Sequence, residues 1–166
     1  TTWHMLSHTE NGTGPFWSPD GRSIGFFAED KLKVLRLAEG SVRVVCDAPP
    51  GSGTFVSSSV VLVAPGRSGG VTEVNVETGA FRDVTWPGRE TGNVTHGQPT
   101  SLSDGRHFTY VAKRAGTSVA MLASLDGTVS VPLGPVESQV QPTDSGRVLF
   151  VRDGALLAQQ LEVTAG

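Results

Sequence analysis

The stretch that decides the fold is residues 16–24, FWSPDGRSI. An aromatic pair leads into Ser-Pro-Asp-Gly, whose residue types each favour a tight turn, and an apolar run begins directly after it. Such a turn followed at once by apolar residues predicts the start of a β-strand. Related turns recur at 103–106, SDGR, and at 144–147, DSGR, so the chain contains an internal repeat.

The spacing of the turn glycines defines the repeat length. Gly21 and Gly105 lie 84 positions apart, and Gly105 and Gly146 lie 41 positions apart. A unit of about 42 residues fits both intervals and predicts a further copy near position 60. Residues 54–59, TFVSSS, occupy that place and lead into VVLVA at 60–64, without the Asp-Gly pair. We therefore count four repeats, of which the second is degenerate.

The residues after each turn predict three successive strands. The first strands are apolar and cover 24–28, 60–64, 108–112 and 148–151. The second strands cover 32–37, 71–76, 119–125 and 156–163. Glycine-bearing hairpin turns end the second strand of the first three repeats, and the last strands follow at 42–46, 81–84 and 129–133. We expect four strands in each repeat of about 40 residues, which is the size of a propeller blade.

The two ends of the chain complete this prediction. The fourth repeat stops before its last strand, whereas residues 1–6, TTWHML, precede the first repeat and carry aromatic and apolar side chains. We expect them to supply the missing strand, because an open sheet edge promotes aggregation. The expected fold is an all-β propeller of four four-stranded antiparallel blades. It forms one domain over 1–166, with blades at 9–48, 49–87, 94–136 and 137–166 plus strand 1–8.

The motif at 16–24 resembles the TolB-like, WD-repeat-like propeller family, whose blades carry W/F-S-P-D-G-R/K before an apolar strand. Residues 102–112 and 124–127 look most similar to the propellers appended to bacterial serine/threonine kinases and related sensors. The resemblance implies a sensor or scaffold part of a larger bacterial protein. Family rings commonly have six or more blades. Three arrangements therefore stay open: a piece of a larger ring, a four-bladed ring, and a half ring completed by a second copy.

The composition of the chain narrows the possible binding partners and the possible cellular compartment. A net charge of -3 with no basic stripe gives no reason to expect nucleic acid or anionic lipid, and no apolar stretch approaches the roughly 20 residues of a membrane span. The lone Cys46 cannot form an internal disulfide, and its apolar neighbours predict a small buried side chain. A start at Thr1 fits removal of an upstream segment from an exported protein, hence a periplasmic or extracellular location, although a cloned fragment explains it equally well.

Most residues with reactive side chains have a structural interpretation. An aspartate in such a turn accepts backbone N–H bonds and the glycine supplies a positive φ, so we interpret five residues as structural: Asp20, Gly21, Asp104, Gly105 and Gly146. The four histidines show no metal-ligand spacing, and we expect neither a metal nor another cofactor. Residues 51–54, GSGT, form a Gly-rich linker that lacks the lysine of a phosphate-binding loop.

The connection from 86 to 98 departs most from the repeat, and propellers often carry specificity in such loops. The candidate binding residues are Trp86, Arg89, Glu90, His96 and Gln98. The alternative is a merely longer connection with Trp86 packed between blades. The leading hypothesis is a non-catalytic module that binds a protein or peptide. One alternative is a self-assembling protein that completes or stacks rings between copies, and the other is an accessory or catalytic propeller of a glycan- or peptide-processing enzyme.

Overall fold

The computed structural model describes residues 2–65, 69–87, 94–143 and 145–161. The described chain forms four antiparallel sheets whose strands follow one another in sequence order, and each sheet is one blade. Blade 1 contains β1 (Thr13–Trp17), β2 (Ser23–Ala28), β3 (Lys31–Arg36) and β4 (Ser41–Asp47). Blade 2 contains β5 (Gly51–Phe55), β6 (Val60–Pro65), β7 (Thr72–Asn75) and β8 (Phe81–Asp83). Blade 3 contains β9 (Val94–Ser101), β10 (His107–Arg114), β11 (Thr117–Ser124) and β12 (Ser130–Pro135), and blade 4 contains β13 (Gln141–Pro142), β14 (Arg147–Arg152) and β15 (Ala155–Gln160).

Successive blades pack face to face. Their first strands lie side by side, with β1 against β5, β5 against β9 and β9 against β13, so these four are the inner strands of the assembly. Three apolar clusters fill the spaces between neighbouring blades, centred on Phe27 and Phe55, on Phe108 and Tyr110, and on Phe150. Between blade 4 and blade 1 the described residues form no comparable contact, and closure of the ring is not observed.

The predicted apolar strands lie at the second position of each blade. β2, β6, β10 and β14 follow the turns as the sequence predicts, and each of them carries buried apolar side chains. The inner strands precede the turns instead, and the sequence analysis missed them. Residues 51–54, interpreted as a linker, lie in β5, and residues 94–98, placed in the long connection, lie in β9.

Close backbone packing explains the composition of the inner strands. The ring of Phe16 in β1 lies between Gly25 of β2 and Gly53 of β5, and a Cβ added to Gly53 would lie 2.5 Å from that ring. A side chain at either glycine would therefore occupy the space of the ring. The glycines that resemble a linker in the sequence are required by this aromatic contact between blades 1 and 2.

The predicted strand at the N-terminus is not observed. Residues 2–6 lie outside every strand, and the described residues of blade 4 form three strands. Trp3 and Met5, expected to pack, are 91% and 90% exposed. The chain turns between this segment and β1, where His8 and Asn11 adopt left-handed φ angles of 63° and 58°.

Candidate functional site

The turn at 18–23 holds its aspartate within a closed set of hydrogen bonds. Asp20 Oδ1 accepts hydrogen bonds from the Ser18 hydroxyl at 2.6 Å and from the Arg22 backbone N–H at 3.0 Å, while Gly21 has a φ of 68°. The Ser18 hydroxyl and then the Arg22 N–H hold the pKa of Asp20 below its ordinary value. The carboxylate therefore serves the turn.

Blade 3 contains two turns of the same kind. Asp104 accepts the backbone N–H groups of Arg106 and His107 at 2.9 Å each, and its Oδ2 lies 2.6 Å from His107 Nδ1. Partial burial opposes ionisation of Asp104, but these hydrogen bonds outweigh it and lower the pKa. In the next turn, hydrogen bonds from Ser124 and Thr128 lower the pKa of Asp126 strongly. Gly105 and Gly146 have φ angles of 64° and 73°.

The three described candidate binding residues, Trp86, His96 and Gln98, do not lie on one loop. Arg89 and Glu90 lie outside the described residues. Trp86 is 59% exposed, whereas His96 lies in β9 and is only 4% exposed. His96 Nδ1 is 2.7 Å from the Thr85 hydroxyl, and its ring centroid is 4.7 Å from that of Tyr110. In this position the imidazole packs between blades 2 and 3, at the base of the segment that carries Trp86.

Gln98 lies on an irregularity of the innermost strand of blade 3. The pairing of β9 with β10 shifts register at this point, and Gln98 adopts a left-handed φ of 53°. The same irregularity in β1 has a glycine, Gly14, with a φ of 57°. Glycine accepts this conformation readily, whereas a residue with a side chain does so at a cost of about 1 kcal/mol or more. The Gln98 N–H donates to the Ser52 hydroxyl at 2.9 Å.

Neutral polar side chains connect the inner strands across the blades. Thr54 and Ser101 hydroxyl oxygens are 3.3 Å apart, and Ser101 Oγ also donates to the Phe55 carbonyl at 2.6 Å. The Gln139 amide donates to the Thr100 hydroxyl at 3.0 Å. We call this surface the axial face: Ser52, Thr54, Gln98, Thr100, Ser101 and Gln139. It carries hydroxyl and amide groups and no charge, so it suits a neutral ligand rich in hydrogen-bonding groups. Of these residues, Gln98 alone was predicted from the sequence, and Ser101 is marked only as a serine at the position that Trp17 holds in the first repeat.

Two clefts lie between blades 1 and 2. The more polar cleft has a volume of about 390 Å³ and contains Arg36 and Arg43. These two residues bind the Glu77 carboxylate at 2.7 and 3.0 Å, and Arg43 also donates to the Glu77 carbonyl.

The more apolar cleft has a volume of about 320 Å³ and is lined by Phe81 and the half-buried Cys46. Burial, and then the charge of Asp47, raises the pKa of the Cys46 thiol, which disfavours the reactive thiolate.

Within 2–65, 69–87, 94–143 and 145–161, no three His, Cys, Asp or Glu side chains are grouped so that they could hold a metal ion. The same parts of the chain contain no helix that is long and apolar enough to span a membrane.

Comparison with known proteins identifies the fold. No family model and no curated protein matches the chain. Among solved structures, it is similar to TolB from Acinetobacter baumannii, with 16% identity over 90% of this chain and 42% of TolB and a TM-score of 0.66. The β-propeller domain of Cps50 (Swd1) from Myceliophteria thermophila is 13% identical over 89% of this chain and 51% of that domain, with a TM-score of 0.67. The extracellular domain of the putative hybrid two-component system BT4673 from B. thetaiotaomicron is 11% identical over 93% of this chain and 21% of that domain, with a TM-score of 0.63.

These likenesses concern the fold. The four consecutive sheets are blades of a β-propeller, and the chain spans from about a fifth to about half the length of the three structures it matches.

Proposed function

We propose that this propeller is a non-catalytic binding module that recognises a protein or peptide through its axial face, with Trp86 and the neighbouring Arg89 and Glu90 as further contacts. The observation that carries the proposal is the left-handed backbone of Gln98 inside an innermost strand. The equivalent Gly14 shows that this conformation does not require a side chain. Backbone strain of this kind is concentrated at ligand-binding positions. There the strained backbone positions a side chain for binding, and this gain in function offsets the loss of stability.

The chemistry of the axial face matches the main chain of a peptide. A peptide presents alternating amide donors and carbonyl acceptors, and hydroxyl and carboxamide side chains can satisfy both. Because the axial residues are uncharged, we expect binding through them to depend only weakly on salt. An exposed tryptophan such as Trp86 is a frequent anchor in protein interfaces.

The turn carboxylates favour a binding module over an enzyme. Hydrogen bonds lower the pKa values of Asp20, Asp104 and Asp126 and hold them in the ionised form. A carboxyl that acts as a general acid near neutral pH needs the opposite shift. We also propose a location outside the cytoplasm, supported by the likeness to an extracellular domain.

Selection from a library of displayed peptides tests the function. We expect the protein to enrich a family of sequences, and a synthetic peptide from that family to bind the purified chain. Gln98→Gly removes the side chain while keeping a residue that adopts the left-handed φ, so the fold should be retained and the affinity should fall about tenfold.

Two controls decide the outcome. Gln159→Gly changes a glutamine outside the axial face and should leave peptide affinity unchanged. Peptide selection that yields no binder, or binders that Gln98→Gly does not weaken, would overturn the proposal. Wild-type circular dichroism and a single cooperative melting transition establish that the variants are folded.

A further inference from the structure

The apolar cleft lies between the outer parts of blades 1 and 2. Its floor contains Phe27, Val63 and Val74, which belong to the apolar cluster that joins the two blades and are at most 7% exposed. The outer strands β4 and β8 form its two walls. A volume of about 320 Å³ is enough for a small organic molecule.

The β8 wall carries an aromatic ring and a carboxylate on the same face of the strand. Phe81 is the ladder partner of Val74, Asp83 is the ladder partner of Thr72, and both line the cleft. Phe81 is 72% exposed although its partner Val74 is buried at 1%. Two positions along a strand correspond to about 7 Å. One small ligand can therefore contact the ring and the carboxylate together.

The charge at the cleft is negative. Asp83 accepts the Thr72 hydroxyl at 2.9 Å, and in the parts of the chain that the structure describes it forms no ion pair. On the opposite wall, Asp47 is bound by Lys31 at 2.6 Å. Among the described residues that line the cleft there is no lysine, arginine or histidine. The Asp83 carboxylate therefore attracts a cation and repels an anion.

Blade 3 shows that this pair of side chains is not needed to build a blade. Equivalent backbone hydrogen bonds just after β7 and β11 fix the register between blades 2 and 3. On this register Ser130 of β12 holds the place of Phe81, and Pro132 holds the place of Asp83. The aromatic ring and the carboxylate thus distinguish the cleft between blades 1 and 2.

We propose that the apolar cleft binds a small organic cation in which an ammonium group is attached to an apolar body. The apolar body packs on the floor and against the Phe81 ring, and the ammonium group lies at the Asp83 carboxylate. Burial of the apolar body supplies most of the affinity, while the carboxylate and the aromatic ring select the charged form. The cleft lies at the outer strands, away from the axial face, so this proposal does not depend on the proposed function.

Titration of the isotope-labelled chain, followed by NMR, tests the site with three probes. Phenethylammonium has a ring and a charge, phenethyl alcohol has the ring alone, and ethylammonium has the charge alone. We expect phenethylammonium to shift the amide signals of Cys46, Val74 and Phe81 and to bind about fivefold more tightly than the alcohol, because an ion pair at an exposed rim contributes modestly. Ethylammonium should leave these signals unchanged at the same concentrations.

Two pairs of variants assign the roles of the side chains. Asp83→Asn removes the charge and keeps an acceptor for the Thr72 hydroxyl, so the affinity for phenethylammonium should fall to that for the alcohol. Its matched control, Asp153→Asn in the β14–β15 turn, should change neither affinity. Phe81→Ala should weaken both ring-bearing probes, whereas Leu156→Ala, which removes an equally exposed apolar side chain from blade 4, should weaken neither.

Three results would each overturn the proposal. The first is a set of cleft signals that phenethylammonium does not move at its highest soluble concentration. The second is equal affinity for phenethylammonium and phenethyl alcohol in the wild-type chain. The third is an Asp83→Asn variant that has the circular dichroism of the wild type and keeps its preference for the charged probe.

Discussion

The interface between blades 1 and 2 and the outer faces of the end blades present the same kind of surface in two different situations. Phe27 and Phe55 meet across the interface and are each 1% exposed. Trp17 in β1 of blade 1 and Leu156 in β15 of blade 4 are 61% and 71% exposed. Equivalent strands and equally apolar residues therefore differ in burial because only one set has a neighbouring blade. For these residues burial depends on a neighbouring blade, whereas Phe26, Ala28 and Leu35 form a buried cluster within blade 1.

The largest effect should come from truncating an aromatic side chain inside the stack. Phe108→Ala empties a fully buried position between blades 2 and 3 and should lower the free energy of unfolding by about 3–5 kcal/mol. Ile24→Ala, at the equivalent half-buried position of β2 in blade 1, should lower it by about 1 kcal/mol. Urea unfolding measures both. Equal losses would show that the two faces do not differ as described.

Adding one methyl group to an inner strand tests the close approach of blades 1 and 2. Gly53→Ala directs a Cβ into the Phe16 ring and should lower the free energy of unfolding by about 1–3 kcal/mol. Gly97→Ala, on the inner strand of blade 3, meets nothing within 4 Å and has no positive φ, so it should be tolerated. Thermal melts of the two variants compare them directly, and a tolerated Gly53→Ala would contradict the aromatic contact.

A turn carboxylate should contribute stability that depends on pH. Asp104→Ala removes three hydrogen-bond contacts on a largely exposed group, and we expect a loss of about 1 kcal/mol near neutral pH. The pKa of Asp104 is lower in the folded chain than its usual 3.8. The stabilisation is therefore complete above about pH 4 and is lost as the pH falls through the folded pKa. Melting temperatures of both proteins should converge below pH 4, and a constant difference would contradict this linkage.

The smallest predicted effect is a gain in stability. Thr109 is 0% exposed, and its hydroxyl finds no hydrogen-bond partner among the residues that the structure describes. Thr109→Val keeps the shape and removes the unsatisfied group, so the free energy of unfolding should rise by about 1 kcal/mol. Thr100→Val, which removes the acceptor of the Gln139 amide, is the matched variant and should lower it. Chemical denaturation that ranks the two in the reverse order would contradict the hydrogen-bond assignment.

Sequence reasoning recovered the parts of the fold that local chemistry determines. The turn at Asp20 and the apolar strand after it follow from residue types within a few positions. The inner strands escaped detection because they are selected for close approach between blades, so that β5 consists of small residues around Gly53. The candidate site was only partly predicted for the same reason. Gln98 was identified because it lies in a connection that departs from the repeat. Its hydrogen bond with Ser52 forms only when segments distant in sequence pack together.

Packing only between consecutive blades also governs how the molecule opens. A blade in the middle of the series is held on two sides, and an end blade on one, so the cost of local unfolding rises from the ends toward the centre. Blade 4, in which the described residues form three strands, should exchange its amide protons for deuterium soonest, while β6 and β10 should exchange last. Local unfolding of this molecule therefore begins in the terminal blades and reaches the central blades last.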